Sequence, residues 1–495
     1  MEIDPNVRAS NVFVEMQGVK RGVGSNFLPP TGLILGQYDQ ASVGVIDYTP
    51  IQLLGADAVG SKFGFGSEIH RQALWVFGLL GGFSDKLWFS PIPEPGGGVV
   101  GTGDIAFAVN ASTSGTYYFS IGGDVVNFGV NKDATPTEIG DSFVTAITAN
   151  LNGMVTAANV AGTVTLTSKN KGVNANEIKL VLNPSGVSQE DQNPGATTVA
   201  VGEYLTGGSG ATDIHDTFFN SSEEDILGDR FYTMISCPYS DATNLGYVDD
   251  SWNARKDPGV KRPFGAVVGY AKETLTQALA LPATINSEGI CPVWESRSYA
   301  PAFELSAAVM GIVMESCKLD PGRPFKTLAT GIPMDTGLSD LSYAKNDALF
   351  KAGMSYFKTV GSEMVTGDLA LSYRLNGVAA ADDSWFDLVA LTLRQQKVYD
   401  IEQVFISAPY ERGILADDTN ISIKPYVIKP KKVIADISAL VNSWDFEGWT
   451  KNAAEVKASI TAIINVSNNS RIDATVTDDE AKALRIVSVL YNFLF

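Results

Sequence analysis

Two histidines serve the whole chain of 495 residues, so any acid–base or metal chemistry that uses imidazole must run through His70 or His215. His215 lies in Asp213-Ile214-His215-Asp216, the composition of a metal or triad fragment. A Ser-His-Asp site on an α/β frame also needs a G-x-S-x-G elbow, and zinc needs further His or Cys ligands. Neither stands near His215 in the sequence, which reads as a polar loop residue, and His70 falls on a helix as a structural or surface side chain. Gly55 to Lys62 (GADAVGSK) has the glycine spacing of a P-loop but ends in Ser-Lys. Phosphate binding needs the reverse order, lysine on the phosphates and the next hydroxyl on magnesium. Gly64-Phe65-Gly66-Ser67 ahead of a helix offers an anion site only weakly, without the third glycine of a dinucleotide loop. A turn or packing role is expected. The acidic doublets Glu223-Glu224, Asp249-Asp250, Asp382-Asp383, Asp417-Asp418 and Asp478-Asp479 sit among Ser, Thr and Asn and read as caps and solvated turns. A D-x-D-x-D-G calcium loop is absent. No catalytic, cofactor-binding or metal-ligating residue is expected.

Composition narrows the partners. A net charge of −19 opposes phosphate binding, and the basic runs are short, as at Lys429, Lys431 and Lys432; no direct nucleic-acid contact is expected. Cys237, Cys291 and Cys317 lie far apart with no C-x-x-C spacing and read as buried free thiols. MEIDPNVRAS has neither the basic nor the apolar region of a signal peptide, and no apolar run approaches the length of a membrane span. A protein made and kept in a reducing cytoplasm, without membrane insertion, is the expectation. The length suggests roughly three domains.

The elements that would position these residues alternate between helix and strand. Gly32 to Gly36 (GLILG) reads as a covered strand, a helical turn is expected near 49–60, and Ser67 can cap a helix carrying Ile69, Ala73, Val76, Phe77 and Leu80. Lys86 to Phe89 gives another strand. PIPEPGGGVVGTG then breaks the composition, and a Thr-, Val- and Gly-rich stretch follows. It has strand candidates at 105–109, 116–121, 125–130, 164–168 and 178–182 and one helix at about 137–150, so 98–211 reads as an inserted β-rich module. The α/β rhythm resumes with strands at 230–237 and 265–270 and helices at 241–254, 275–281 and from Pro301 to Asp320. Further on, a helix at 346–360, a half-exposed strand at 369–376 and a helix to about Phe405 with a Ser384/Asp387 capping box are predicted. Val433 to Val441 and 456–466 read as helices, and Ile472, Ala474 and Val476 alternate as a strand.

Both ends look like strands. RIVSVLYNFLF places Val487, Val489, Tyr491, Phe493 and Phe495 on one face and Ile486, Leu490 and Leu494 on the other, so it needs cover on both sides. Near the N-terminus Val12, Val14 and Met16 alternate with Phe13 and Glu15, and Gly18, Gly22 and Gly24 loosen the link to the body. Either these strands close one intramolecular sheet or they add to a neighbour's.

The N-terminal VFVEMQGVKRG, the block YTPIQLLGADAVGSKFGFGSEIHRQAL, the phrase GTVTLTSKNKGVNANEIKL and the apolar C-terminal stretch together resemble the contractile tail sheath proteins of Mu-type bacteriophages, across most of the chain. The resemblance implies an α/β core of subtilisin-like topology without its triad, an inserted β-rich domain, an α+β C-terminal domain and extended β-strand arms. The expected layout is an N-terminal arm 1–24, core 25–97 and 212–400, outer domain 98–211, C-terminal domain 401–484 and C-terminal arm 485–495. It further implies a homo-oligomer of hexameric rings stacked helically around a tail tube protein, with baseplate and tail terminator proteins as partners, located in the virion tail and assembled in the host cytoplasm. Val12, Phe13, Val14, Met16, Ile486, Val487, Val489, Leu490, Tyr491, Phe493 and Phe495 would be intersubunit strands. Ile472, Ala474 and Val476 would be an acceptor and Gly18, Gly22 and Gly24 a hinge. The alternatives are an α/β hydrolase-like enzyme, against which the missing elbow weighs, and a capsid or tail decoration or receptor-binding module, which the Thr/Gly-rich insertion favours.

Overall fold

In the computed structural model, which describes residues 27–81, 85–185, 198–200 and 202–491, the strand Gly32–Gln37 is buried along its whole length. It lies inside a six-stranded sheet of order Ile290–Trp294, Gly265–Tyr270, Met234–Cys237, Gly32–Gln37, Leu87–Ile92 and Ile51–Gln52. All neighbours are parallel except the last pair. A parallel sheet is covered on both faces, which is why these strands read as unbroken apolar runs. The chain leaves Gly32–Gln37 through the Glu68–Leu79 helix to Leu87–Ile92, then returns on the other side at Met234–Cys237 and moves outward through Ala242–Arg255 and Leu275–Ile285. The Ala302–Leu319 helix, buried nearly all round, packs on Glu68–Leu79 and on the strands Met234–Cys237 and Gly265–Tyr270. Gly269 permits that approach, because a Cβ there would run into the Ala302 carbonyl.

Residues 99–209 fold around a core of their own, joined by Phe303. Their two crossings to the sheet lie side by side: the Val99 N–H donates to the Ser209 carbonyl at 2.8 Å, and the Thr102 and Thr206 amides exchange bonds of 2.8 and 2.9 Å. Between them stand an antiparallel sheet of Thr198–Ala200, Val100–Phe107, Thr163–Lys171 and Val155–Val160 and a second of Asp124–Val130, Gly115–Ile121 and Leu180–Leu182. The Pro136–Ala149 helix starts from a reciprocal Thr135/Glu138 capping box. It buries Phe143 with ring centroids 4.6 Å from Phe119 and 5.1 Å from Phe128, geometry that adds about 0.5–1.5 kcal/mol per pair beyond area burial.

Several local expectations change. The 346–360 helix is two elements, Tyr343–Ala352 ending at a left-handed Gly353 and then a hairpin of Phe357–Val360 with Glu363–Thr366. The stretch 369–376 makes isolated bridges rather than a strand. The Leu388–Phe405 helix is capped by Asp387, whose Oδ1 accepts the Ala390 N–H at 3.0 Å, and not by Ser384.

The described residues divide into two compact units, 28–399 with 482–491 and 400–481 with Phe27. In the second, the Pro430–Phe446 helix buries Val433, Ile437, Val441 and Trp444, spaced for one face. The Trp444 Nε1 donates to Asp400 at 2.9 Å. Residues 456–466, read as a helix, are instead the end of Ala453–Ala458 and the strand Thr461–Ile464. Ile463 is 61% and Val466 93% exposed, so their apolar spacing does not mark a buried helical face.

Candidate assembly surface

The structure uses up the residues whose types suggested chemistry. His70 is buried, and its Nδ1 accepts the Gly66 N–H at 2.9 Å. Burial, reinforced by Arg71 and Lys169, lowers it to about 4, so it is a neutral structural side chain at ordinary pH. His215 starts the short helix His215–Phe218, with Asp216 at 3.0 Å and Glu223 at 3.1 Å. Hydrogen bonds that the protonated ring donates to Asp216 and then to Glu223 raise its pKa. The P-loop-like stretch is itself the Ala56–Phe63 helix and not a loop leading into one, as a phosphate cradle requires. Gly66 takes φ +80°, and a Cβ on it would meet the Gly153 carbonyl. The helix start that follows is occupied too, since the Glu68 N–H donates to Asn170 Oδ1 at 2.9 Å. Gly66 thus lets residues of the 99–209 segment seat against the core.

The acidic doublets make local bonds. Asp418 accepts the Lys431 N–H at 3.0 Å, Asp478 the Thr450 hydroxyl at 3.0 Å, and Asp382 the Tyr373 hydroxyl at 2.9 Å. Among the described residues no three His, Cys, Asp or Glu side chains gather as a metal site requires. Cys237, Cys291 and Cys317 are free and buried, and burial pushes each thiol up to about 12. Among the described residues no helix is long and apolar enough to cross a membrane.

What remains is exposed apolar surface. Ile486, Val487, Val489, Leu490 and Tyr491 are 72–84% exposed, on a stretch without regular secondary structure from 482 to 491. Arg485 anchors that stretch: it pairs with Asp387, lies 3.4 Å from Asp368 and sets its guanidinium 5.0 Å from the Phe350 ring. This anchor was not foreseen; the arginine heading an apolar run was visible, but its partners lie far away in sequence. Ile472 and Ala474 sit on Ile472–Thr475, paired antiparallel with Thr461–Ile464 in register Ile464 to Ile472 and Ala462 to Ala474, and Val476 follows the strand. Among the described residues this sheet has two strands only, so each keeps a ladder edge of the kind that pairs with added strands. Val12, Phe13, Val14, Met16, Gly18, Gly22, Gly24, Phe493 and Phe495 lie outside the described residues.

The frame is mixed α/β, and the class this chain is similar to is the tail sheath protein. No family model matches it. By sequence it is similar to the Mu-like prophage FluMu tail sheath protein of Haemophilus influenzae, 22% identical over 420 residues and covering 82% of each chain. Among solved structures, the sheath tail protein of Desulfitobacterium hafniense aligns at 10% identity and TM-score 0.47 over 95% of this chain and 100% of that one. A sheath tail protein of Listeria innocua aligns at 13% identity and TM-score 0.47 over 91% and 95%.

Proposed function

We propose that the chain is a structural subunit of a contractile tail sheath and not an enzyme. Copies form hexameric rings stacked helically around a tail tube, bounded by baseplate and tail terminator proteins, in a virion tail assembled in the host cytoplasm. Contraction drives the tube through the host envelope. The observation that carries this reading is the likeness to the FluMu tail sheath protein across 82% of both chains. On it, 25–97 and 212–400 form a core of subtilisin-like topology, 98–211 an outer domain and 401–484 the C-terminal domain, with arms at 1–24 and 485–495.

The exposed apolar residues after Arg485 support the arm assignment. Ile486 to Phe495 and Val12 to Met16 would add strands to a neighbour's sheet at Ile472, Ala474 and Val476, with Gly18, Gly22 and Gly24 as the hinge. Ladder hydrogen bonds and apolar burial then join the copies, and rigid bodies can rotate between two lattices while the arms stay paired.

Negative-stain electron microscopy of the purified full chain tests this. Long tubes are expected, and deletion of 488–495 should abolish them. Normal tubes from the truncated chain sink the arm assignment; monomers or small discrete oligomers from the full chain sink the sheath reading.

A further inference from the structure

Glu68 opens the Glu68–Leu79 helix and is only 3% exposed. It stands where residues 99–209 meet the C-terminal ends of the central strands. On one side are Gln37, the last residue of Gly32–Gln37, and Pro238 and Tyr239, which follow Met234–Cys237. On the other are Asn170 and Asn174. Asn174 Nδ2 donates to Glu68 Oε2 at 3.3 Å and to the Pro238 carbonyl at 3.2 Å, while Asn170 accepts the Glu68 N–H and donates to the Tyr38 carbonyl at 3.1 Å. These bonds tie the 99–209 segment to the strand ends through neutral groups. Glu68 Oε1, the Tyr239 hydroxyl and Gln37 Oε1 are all buried with no hydrogen-bond partner among the described residues.

Among the described residues no cation answers Glu68. Burial and Glu177, from the turn Val173–Glu177, disfavour its ionised form, while Asn174, Tyr239 and the Gln37 backbone favour it less strongly; Cys237 is near enough to feel it. Arg71 on the same helix is held by Glu304 and Asp124, and His70 faces Gly66. Lys171 pairs with Glu94, Lys169 donates to the Phe65 and Leu151 carbonyls, and Lys272 lies over the Tyr204 ring. Asp39 and Asp241 cap their own helices, and Glu273 acts on Glu177. An ionised carboxylate here is a buried charge without a counter-ion, whereas a carboxylic acid is neutral and has a proton to share.

We propose that Glu68 is a proton-operated latch: as a carboxylic acid it keeps the 99–209 segment seated on the strand ends, and its ionisation opens that seam locally. Burial, offset by Asn174 and increased by Glu177, moves the Glu68 carboxyl from 4.5 up to about 8. Glu177 rises to about 8 by burial and the nearby Glu273. The closed seam therefore binds more protons than the open one between those values. Closure is favoured at low pH, weakens by about tenfold per pH unit per proton as pH rises through the window, and levels off once both forms are ionised.

Hydrogen–deuterium exchange of the full chain tests this at peptides spanning 166–182 and 234–240, corrected for the intrinsic pH dependence of exchange, from about pH 5 to about pH 9. The opening constant is expected to rise about tenfold per pH unit, or up to about a hundredfold where Glu177 ionises with it. Glu68→Gln should lower that slope by one proton and leave peptides within 115–130 unchanged. A flat wild-type profile, or an unaltered slope in Glu68→Gln, overturns the proposal. Should Glu68→Gln fail to fold, the wild-type infrared band of protonated carboxyl decides: it should persist at neutral pH and vanish with the midpoint of seam opening, and opening without its loss overturns the latch.

Discussion

Arg71→Met asks whether charge buried between two helices and the 99–209 segment holds this fold together. Arg71 is 3% exposed and Glu304 is fully buried. The Arg71 Nε meets Glu304 Oε1 at 2.7 Å and its Nη1 meets Asp124 Oδ2 at 2.8 Å, while Trp75 Nε1 donates to the second Glu304 oxygen at 2.5 Å. Methionine keeps much of the apolar stem and strands the Glu304 carboxylate. Removing one partner of such a pair costs about 3–5 kcal/mol, against about 0–1 kcal/mol for an exposed pair. Asp124, at 23% side-chain exposure, retains water and adds little. Denaturant unfolding of the full chain at neutral pH should show that loss, and Arg71→Met with Glu304→Gln should recover most of it because no charge is left behind. The pH dependence gives a second check. Burial raises the Glu304 pKa and Arg71 pulls it back; without Arg71 the carboxyl takes up its proton at higher pH, so the loss should shrink as pH falls. A cost under about 1 kcal/mol, or one that ignores pH, refutes the reasoning.

His70 predicts the opposite trend to Glu68. Its folded pKa is lowered from 6.5 to about 4, so the unfolded chain binds the extra proton and stability falls as pH drops through that window; thermal melts of His70→Gln should lose this part of the acid sensitivity. Gly269→Ala should destabilise by about 1–3 kcal/mol or more in urea unfolding, since the strand cannot move away from the Ala302 carbonyl without opening the sheet–helix contact. Trp444→Phe removes one hydrogen-bond donor to Asp400 and should cost about 1–3 kcal/mol, read by the same unfolding.

The central strands were legible because strands covered on both faces need continuous apolar sequence, and Gly32–Gln37, Met234–Cys237 and Gly265–Tyr270 have it. Ile290–Trp294 was not read, because Pro292 argues against a central strand; it lies at the end of the sheet order, where a missing N–H is tolerated. Val155–Val160 was missed as well, its alanines and asparagine giving little strand signal, with only Val155 deeply buried. The hairpin around Gly361, at φ +65°, had its signal in a Gly-Ser pair that the helix reading of 346–360 overrode. At the candidate surface the apolar run after Arg485 was plain from composition. The clamp of Arg71 with Glu304, 233 residues away, could not be read, since nothing local links charges that far apart.

The paired crossings at Val99 and Ser209 make the 99–209 segment, seen from the central sheet, a hairpin stem with a very large loop. Loop-closure entropy grows only logarithmically with length, so the sheet is nearly indifferent to what the stem carries. A short turn or a foreign domain with adjacent termini could be grafted there, provided the polar groups left facing the gap are made neutral without stranding a partner: Glu68 by itself, and Arg71 only together with Glu304, which pairs with it. The stem is a socket, and its tolerance is set by the side chains that face the segment, Phe303 included, rather than by the size of the graft.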